Sequence, residues 1–319
     1  MKKALIIKLI GGNYTIMDLD TKQELVARAR GRLRFIKVDP DSVFHRTVSQ
    51  RTKKEVEIMQ VSPKVGDYCY YDDSEDVVLI TEILPRQNEL DRPDLANIDQ
   101  LLLTFSAVEP DFSFNLLDKF LVLSYKNNLK PTLLVTKIDI IKQDELKDLK
   151  QSLNYYKDKL GIKIFYVNSL DVATTSKEEI FLENKITVLA GQTGVGKSTF
   201  LNAINPDLDI KTGEISKALG RGRHTTRHSE LYKIKGGYIA DTPGFSKLDL
   251  DIHHFDELKL FYPDFLDLSH DCRFGNSCNH LKEPGCQITN LVHSGDILQS
   301  RYDNYVRFVD EIKSQKKIY

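Results

Sequence analysis

The 319-residue chain lacks several features that would place it at once. It has almost no net charge, −1 from 45 basic and 46 acidic residues, which excludes a globally basic surface for nucleic acid. Any such surface must be a local patch. No apolar stretch reaches the ~18 residues that a membrane span needs, so no membrane partner is expected. Met1-Lys2-Lys3 followed by Ala4-Leu5-Ile6-Ile7 imitates a secretory leader, but Lys8 and Gly11-Gly12-Asn13 break the run. No small-residue cleavage site follows, so a strand entering a turn is the better reading and the cytoplasm the expected location. Cysteine is scarce, four residues in all, and in that compartment a disulfide is disfavoured. No internal repeat or low-complexity tract is evident. What remains is an ordinary globular composition, 41% apolar and 29% charged, in a chain long enough for more than one domain.

Residues 1–84 read as short strands near 3–9, 14–18, 24–29 and 77–84, with another beginning at Val65 and no convincing helix. That predicts a small β-barrel, of OB type or SH3-like. Arg28, Arg30, Arg32, Arg34 and Lys37 lie close together, interleaved with Leu33 and Phe35. They offer cations for phosphates and an aromatic face for bases, and a solvated strand edge explains them equally well. Residues 85–249 alternate short apolar runs (101–106, 132–135, 164–167, 186–190, 238–240) with helical spacing at 116–125 and 199–204. This pattern predicts a mostly parallel sheet covered by helices. Over residues 250–319 the sheet pattern stops, and histidines cluster with three of the four cysteines. Tyr302, Tyr305, Val306, Val309 and Ile312 mark a closing amphipathic helix.

Three motifs of a nucleotide site follow the strands of the middle region, in an unusual order. Thr136-Lys137-Ile138-Asp139 comes first. A carboxylate at Asp139 accepts both donors on the guanine edge, whereas adenine would leave it unpaired, and Lys137 lays its stem on the base plane. Asn168 and Ser169, after the next strand, form the supporting base-side loop. Gly191-Gln192-Thr193-Gly194-Val195-Gly196-Lys197-Ser198 comes second, between a strand and a helix that continues through Thr199. Its backbone N–H groups wrap phosphates, Lys197 bridges β- and γ-phosphate oxygens, and Ser198 holds Mg²⁺. Asp241-Thr242-Pro243-Gly244 comes last, with Asp241 on the Mg²⁺ through water and the Gly244 N–H sensing the γ-phosphate. An ordinary GTPase begins with the phosphate loop and ends with the base reader, so this order is that of a circularly permuted GTPase.

Between the last two motifs, residues 220–228 (Gly-Arg-Gly-Arg-His-Thr-Thr-Arg-His) form a glycine-rich loop from which Thr225 or Thr226 can reach the metal. Phe245 stands where Ras-like enzymes place a water-orienting Gln, and a phenyl ring cannot do that work. His224 is the best replacement and His228 its competitor. Cys272, Cys278, His280 and Cys286 supply a complete tetrahedral set for one structural Zn²⁺. Cys69 lies far from them and reads as a small core residue.

Taken together and in this order, the base reader, phosphate loop, Gly-Arg-His-Thr-Thr loop, Asp-Thr-Pro-Gly-Phe segment and Cys-Cys-His-Cys cluster resemble the bacterial small-ribosomal-subunit biogenesis GTPase family RsgA. Ser106-Ala107-Val108-Glu109-Pro110 also looks like that family, and the likeness covers essentially the whole chain. It implies an N-terminal OB fold, a permuted α/β P-loop GTPase domain and a mostly α zinc-binding domain. It implies late maturation of the small (30S) subunit, rRNA binding, hydrolysis stimulated by that subunit, and His224 as the catalytic residue. The expected partners are GTP or GDP and the small subunit with its rRNA, without DNA, for a monomeric chain. An alternative is an RNA-binding checkpoint module for which GTP is mainly a ligand. The motif order also predicts that γ-phosphate shifts the C-terminal domain against the barrel, because Asp241 lies directly before the zinc domain.

Overall fold

The computed structural model describes residues 2–30, 36–37, 58–59, 62–91, 94–168, 170–171, 180, 184–205, 229–234, 236–241 and 250–315. Strand β1 (Lys2–Ile10) carries the run Ala4-Leu5-Ile6-Ile7, which is buried without alternation. Such a run suits a strand with packed neighbours on both faces. Antiparallel pairing joins β1 to β2 (Asn13–Asp18), and β2 to β3 (Glu24–Ala29). Strands β4 (Tyr68–Asp72) and β5 (Val78–Ile83) complete the set, β3 pairing parallel to β5 and β5 antiparallel to β4. The first half of β1 closes the ring onto β4, from Lys2↔Tyr71 to Leu5↔Tyr68. This is a closed five-stranded barrel of OB type.

Six more strands form the middle sheet: β6 (Gln100–Ser106), β7 (Pro131–Thr136), β8 (Lys163–Tyr166), β9 (Ile186–Ala190), β10 (Ser229–Ile234) and β11 (Gly237–Asp241). Their order is β8-β7-β6-β9-β11-β10, parallel except for the edge strand β10. Every residue of β6 is buried, as a central strand requires. Its side chains alternate between two layers. Leu101, Leu103 and Phe105 pack with helix α1 (Phe114–Lys126) and helix α2 (Gln143–Leu160) through Leu117, Phe120, Leu149 and Leu153. Leu102 packs on the other face with Phe200, Leu201 and Ile204 of helix α3 (Lys197–Ile204). Ser113 caps α1 by accepting from the Leu116 N–H at 3.3 Å, and Gly161 ends α2 in the left-handed conformation at φ 65°.

The second half of β1 pairs with β10, Lys8↔Glu230 and Leu9↔Ser229, so barrel and middle sheet form one continuous ladder. The register of β1 against β2 shifts between Ile6 and Lys8, where β1 changes partners. A ribbon of Glu89–Asp91 with Asp94–Ala96 leads from barrel to β6. Arg86 fixes it to the barrel, giving two bonds of 2.7 Å to Asp67 and one of 2.6 Å to Glu89. Gly66 is obligatory at this crossing: its φ is 94°, and a Cβ there would lie 2.1 Å from the Ala96 carbonyl.

Beyond residue 250 the fold is helical, ending in α4 (Gln287–Ser294) and α5 (Gln299–Ser314). The expected apolar stripe is real: Tyr305, Val309 and Ile312 are buried together with Phe308, against Leu258, Tyr262 and Phe265. Among the described residues, no helix is long and apolar enough to cross a membrane.

Candidate functional site

The phosphate loop leaves β9 at Gly191, next to the central strand β6, where Leu103 pairs with Ala190. A Cβ at Gly191 would lie 2.2 Å from the Thr104 carbonyl, so the first glycine lets the loop start close against β6. Gly196, at φ 87°, is the N-cap of α3 and turns the chain into the helix. Gln192, Thr193 and Gly194 are exposed at the crest, while Val195 and Ser198 are buried. Lys197 folds back over the loop, its ammonium donating to the carbonyls of Gly191, at 2.7 Å, and Gln192. Thr199 continues α3. Backbone donors at a helix start, a lysine over the loop and a hydroxyl at its end are what a polyphosphate with a hard cation requires.

The base-side residues lie at the ends of the neighbouring strands. Thr136 ends β7 fully buried, and its hydroxyl contacts the Val195 carbonyl at 2.6 Å and the Phe105 carbonyl at 3.2 Å. Its part is therefore to strap the base loop to the phosphate loop, standing where many GTPases have Asn. Lys137 has φ 57°, and its ammonium donates to the Glu109 carbonyl. Asp139 is exposed, and Asn168 follows β8 with its side-chain oxygen accepting from the Leu170 N–H at 2.9 Å. Asp241 ends β11, paired in register with Leu189 of β9. All four segments thus lie at the C-terminal ends of parallel strands, β7, β8, β9 and β11, the edge at which open α/β sheets take ligands. Ser169, His224, Thr225, Thr226, His228, Gly244, Phe245 and the side chain of Asp241 lie outside the described residues. On the barrel, Arg28 and Arg30 are exposed on and just after β3, whereas Arg32, Leu33, Arg34, Phe35 and the Lys37 side chain fall outside.

The sulfur–histidine cluster forms a compact site. The ligand atoms of Cys272, Cys278, His280 and Cys286 all lie within 4.8 Å of one another, and all four residues are buried. The His280 Nδ1 stands 3.7 Å from the Cys272 sulfur and 3.5 Å from that of Cys286, with 4.0 Å between those sulfurs. Donors held ~2.0–2.3 Å from a tetrahedral zinc ion stand about 3.5–3.8 Å apart, so the set fits Zn²⁺. The outer contacts set the tautomer. Ser269 gives its hydroxyl proton to the Phe265 carbonyl at 2.8 Å, so at 3.0 Å it accepts from the His280 Nε2–H. Nδ1 then turns its lone pair on the thiols. Burial lowers the His280 pKa to about 4, which keeps the ring neutral, and raises the Cys278 thiol to about 12, an effect that a dication reverses. Tyr302 donates to the carbonyls of His280 and Leu281, and Tyr305 to that of Asn279, tying the cluster to α5.

A family model described as RsgA GTPase matches residues 83–251. The chain is 46% identical over 318 residues to the small ribosomal subunit biogenesis GTPase RsgA of Phytoplasma mali (strain AT), covering 100% of this chain and 98% of that protein. It is 39% identical over 320 residues to the protein of the same name from Bacillus subtilis (strain 168), with 100% of both covered.

The chain belongs to the RsgA GTPase family.

Membership makes it a GTP-hydrolysing enzyme. Two solved structures share the whole architecture. The crystal structure of YloQ, a circularly permuted GTPase, superposes with a TM-score of 0.75 at 36% identity, covering 99% of this chain and 96% of that one. YjeQ from Thermotoga maritima superposes with a TM-score of 0.77 at 29% identity, covering 99% of each. The permuted reading of this RsgA-family chain therefore holds at the level of the fold. Two features of its site escaped sequence reasoning. The strapping role of Thr136 is invisible until β7 and β9 are known to flank β6. The contact of Lys137 with Glu109 joins segments whose letters offer no pairing signal.

Proposed function

We propose that this RsgA-family GTPase drives a late step in maturation of the small (30S) ribosomal subunit, as a cytoplasmic monomer that binds ribosomal RNA. The observation that carries the reading is the Thr136–Val195 hydrogen bond, which ties a guanine-reading loop to a phosphate loop at one edge of one sheet. The names of the relatives supply the subunit. In this proposal Asp139 reads guanine, Lys137 covers it, and Asn168 with Ser169 supports it. Residues 191–199 hold the phosphates, Ser198 and Thr225 or Thr226 hold Mg²⁺, and Asp241 and Gly244 report the γ-phosphate. His224 orients the attacking water. One structural zinc at Cys272, Cys278, His280 and Cys286 shapes the C-terminal domain, with domain boundaries near residues 84 and 249.

GTP hydrolysis measured with and without purified small subunits tests the proposal, with Lys197→Ala as the inactive control. A clear stimulation is expected. An unchanged rate would overturn the subunit assignment and favour the checkpoint alternative. A His224→Ala protein with full stimulated turnover would remove His224 from the chemistry.

A further inference from the structure

The geometry points to a recognition element outside the three nucleotide motifs: the loop at residues 106–110, with Ser106 as the positioning residue that sets Lys137 against the guanine plane. This rests on the proposed base-side role of Lys137. Ser106 ends β6 almost fully buried, and its hydroxyl donates to the Pro110 carbonyl at 2.7 Å, closing the loop on itself. The Ala107 N–H donates to the Thr136 carbonyl at 3.0 Å, fixing the loop beside the base reader. The Glu109 carbonyl then receives the Lys137 ammonium. Both residues of that contact, Glu109 at φ 53° and Lys137 at φ 57°, occupy the left-handed region. Side-chain-bearing residues rarely adopt it, and such conformations gather where a site needs them.

The far end of the loop reaches the phosphates' side. A Cβ placed at Gly194 would stand 4.0 Å from the Pro110 Cδ. One short loop therefore holds the base-side lysine and comes close to the crest of the phosphate loop. A lysine stem covers a base plane only when its flexible head is anchored, since otherwise ordering it costs rotamer entropy on every binding event. The Glu109 carbonyl is that anchor, and the Ser106 hydroxyl, by holding the adjacent Pro110 carbonyl, fixes the turn that presents it.

A double-mutant cycle tests the assignment, read by titration with a fluorescent GDP and by steady-state GTP hydrolysis. Ser106→Ala is expected to weaken GDP binding about five- to tenfold and to raise KM, with kcat held within about twofold. Ser106→Thr, which keeps the hydroxyl, restores binding. In a Lys137→Ala background the Ser106→Ala change adds nothing. Pro110→Gly loosens the same loop without touching the buried strand end and is expected to follow the same pattern. Unchanged GDP affinity in Ser106→Ala and Pro110→Gly, or losses that simply add to that of Lys137→Ala, would overturn the proposal. The base-side reading fails on a different result, an Asp139→Asn protein whose preference for GDP over xanthosine diphosphate is unchanged.

Discussion

The two flanking domains grip the GTPase domain by different means. The barrel joins through backbone: β1 pairs with β10 over Lys8↔Glu230 and Leu9↔Ser229. Side chains add to it: the Lys8–Glu230 pair at 2.8 Å, the Tyr238 hydroxyl at 3.4 Å from the Met17 sulfur, Arg86 holding the linking ribbon to the buried Asp67, and an apolar core that runs from Ile7 and Ile16 of the barrel to Leu231 and Tyr238. The C-terminal domain joins through buried side-chain charge. Arg301, 1% exposed, donates to Asp118 of α1 at 2.6 Å and to both oxygens of Asp264 at 2.6 and 2.7 Å, while lying over the Tyr262 ring. Asn304 and Tyr156 donate to the same Asp118, and Tyr155 to Asp264. A strand ladder makes few demands on side chains, whereas two buried carboxylates demand this one arginine. The expectation that γ-phosphate works the C-terminal domain through a short covalent link needs amending. That domain is packed on α1, so a shift at Asp241 has to carry or break the Arg301 network.

The largest way to break the contrast is to remove the zinc proposed at the Cys272–Cys286 cluster. Structural zinc contributes on the order of 10 kcal/mol to small modules at neutral pH. Stripping it with a strong chelator is expected to melt the core around Phe265, Tyr305 and Phe308, because Tyr302 and Tyr305 anchor to the cluster loop. Hydrogen exchange by mass spectrometry should show α4 and α5 losing protection while β1 to β5 keep theirs. Equal loss in the barrel would mean that the two seams are not independent.

Next comes the buried charge. Arg301→Met leaves Asp118 and Asp264 buried without their cation, and is expected to cost about 3–5 kcal/mol in urea unfolding. A loss under ~1 kcal/mol would show that the network does not hold this seam. Pairing Arg301→Met with Asp118→Asn should be milder than the single change, since it removes one uncompensated charge.

None of this network was legible in the sequence, for a physical reason. Asp118 and Arg301 sit in helices where charged residues ordinarily face water, and only docking of two domains buries them. Strand β10 went unseen because its alternation is short, with Leu231 and Ile234 its buried apolar residues. Helix α2 was recoverable: Leu146, Leu149, Leu153 and Tyr156 repeat at helical spacing beneath a heavily charged surface. The phosphate loop and the metal cluster were legible because their chemistry is packed into short runs of chain. The barrel followed from its turns, but its closure through a divided β1 depends on pairing across distant segments, which no local pattern encodes.

A smaller effect should appear on the barrel side under acid. Asp18 accepts from the Thr21 N–H, the Tyr71 hydroxyl, the Thr21 hydroxyl and the Asp20 N–H, and these bonds hold its carboxyl down at about 2. A folded-state value below that of the unfolded chain means stability present above ~pH 4 and lost as the pH falls toward 2. The barrel should therefore loosen in that window, seen as declining protection in β2 and at the 18–23 turn. Asp18→Asn should flatten the pH dependence there. An unaltered acid profile would remove Asp18 as its source.

The smallest effect is the one that most sharpens the comparison. Lys8 and Glu230 are each about one-third exposed at the barrel seam, so solvent screens their attraction. A cycle of Lys8→Ala, Glu230→Ala and the double change should give a coupling below ~1 kcal/mol that fades further in 1 M salt. The strand pairing beneath it should survive all three changes, with β1 and β10 amides still protected. If the pair instead coupled as strongly as the Arg301 network, the β1–β10 seam too would be held by specific charge rather than by backbone. The two seams would then differ in location and not in kind.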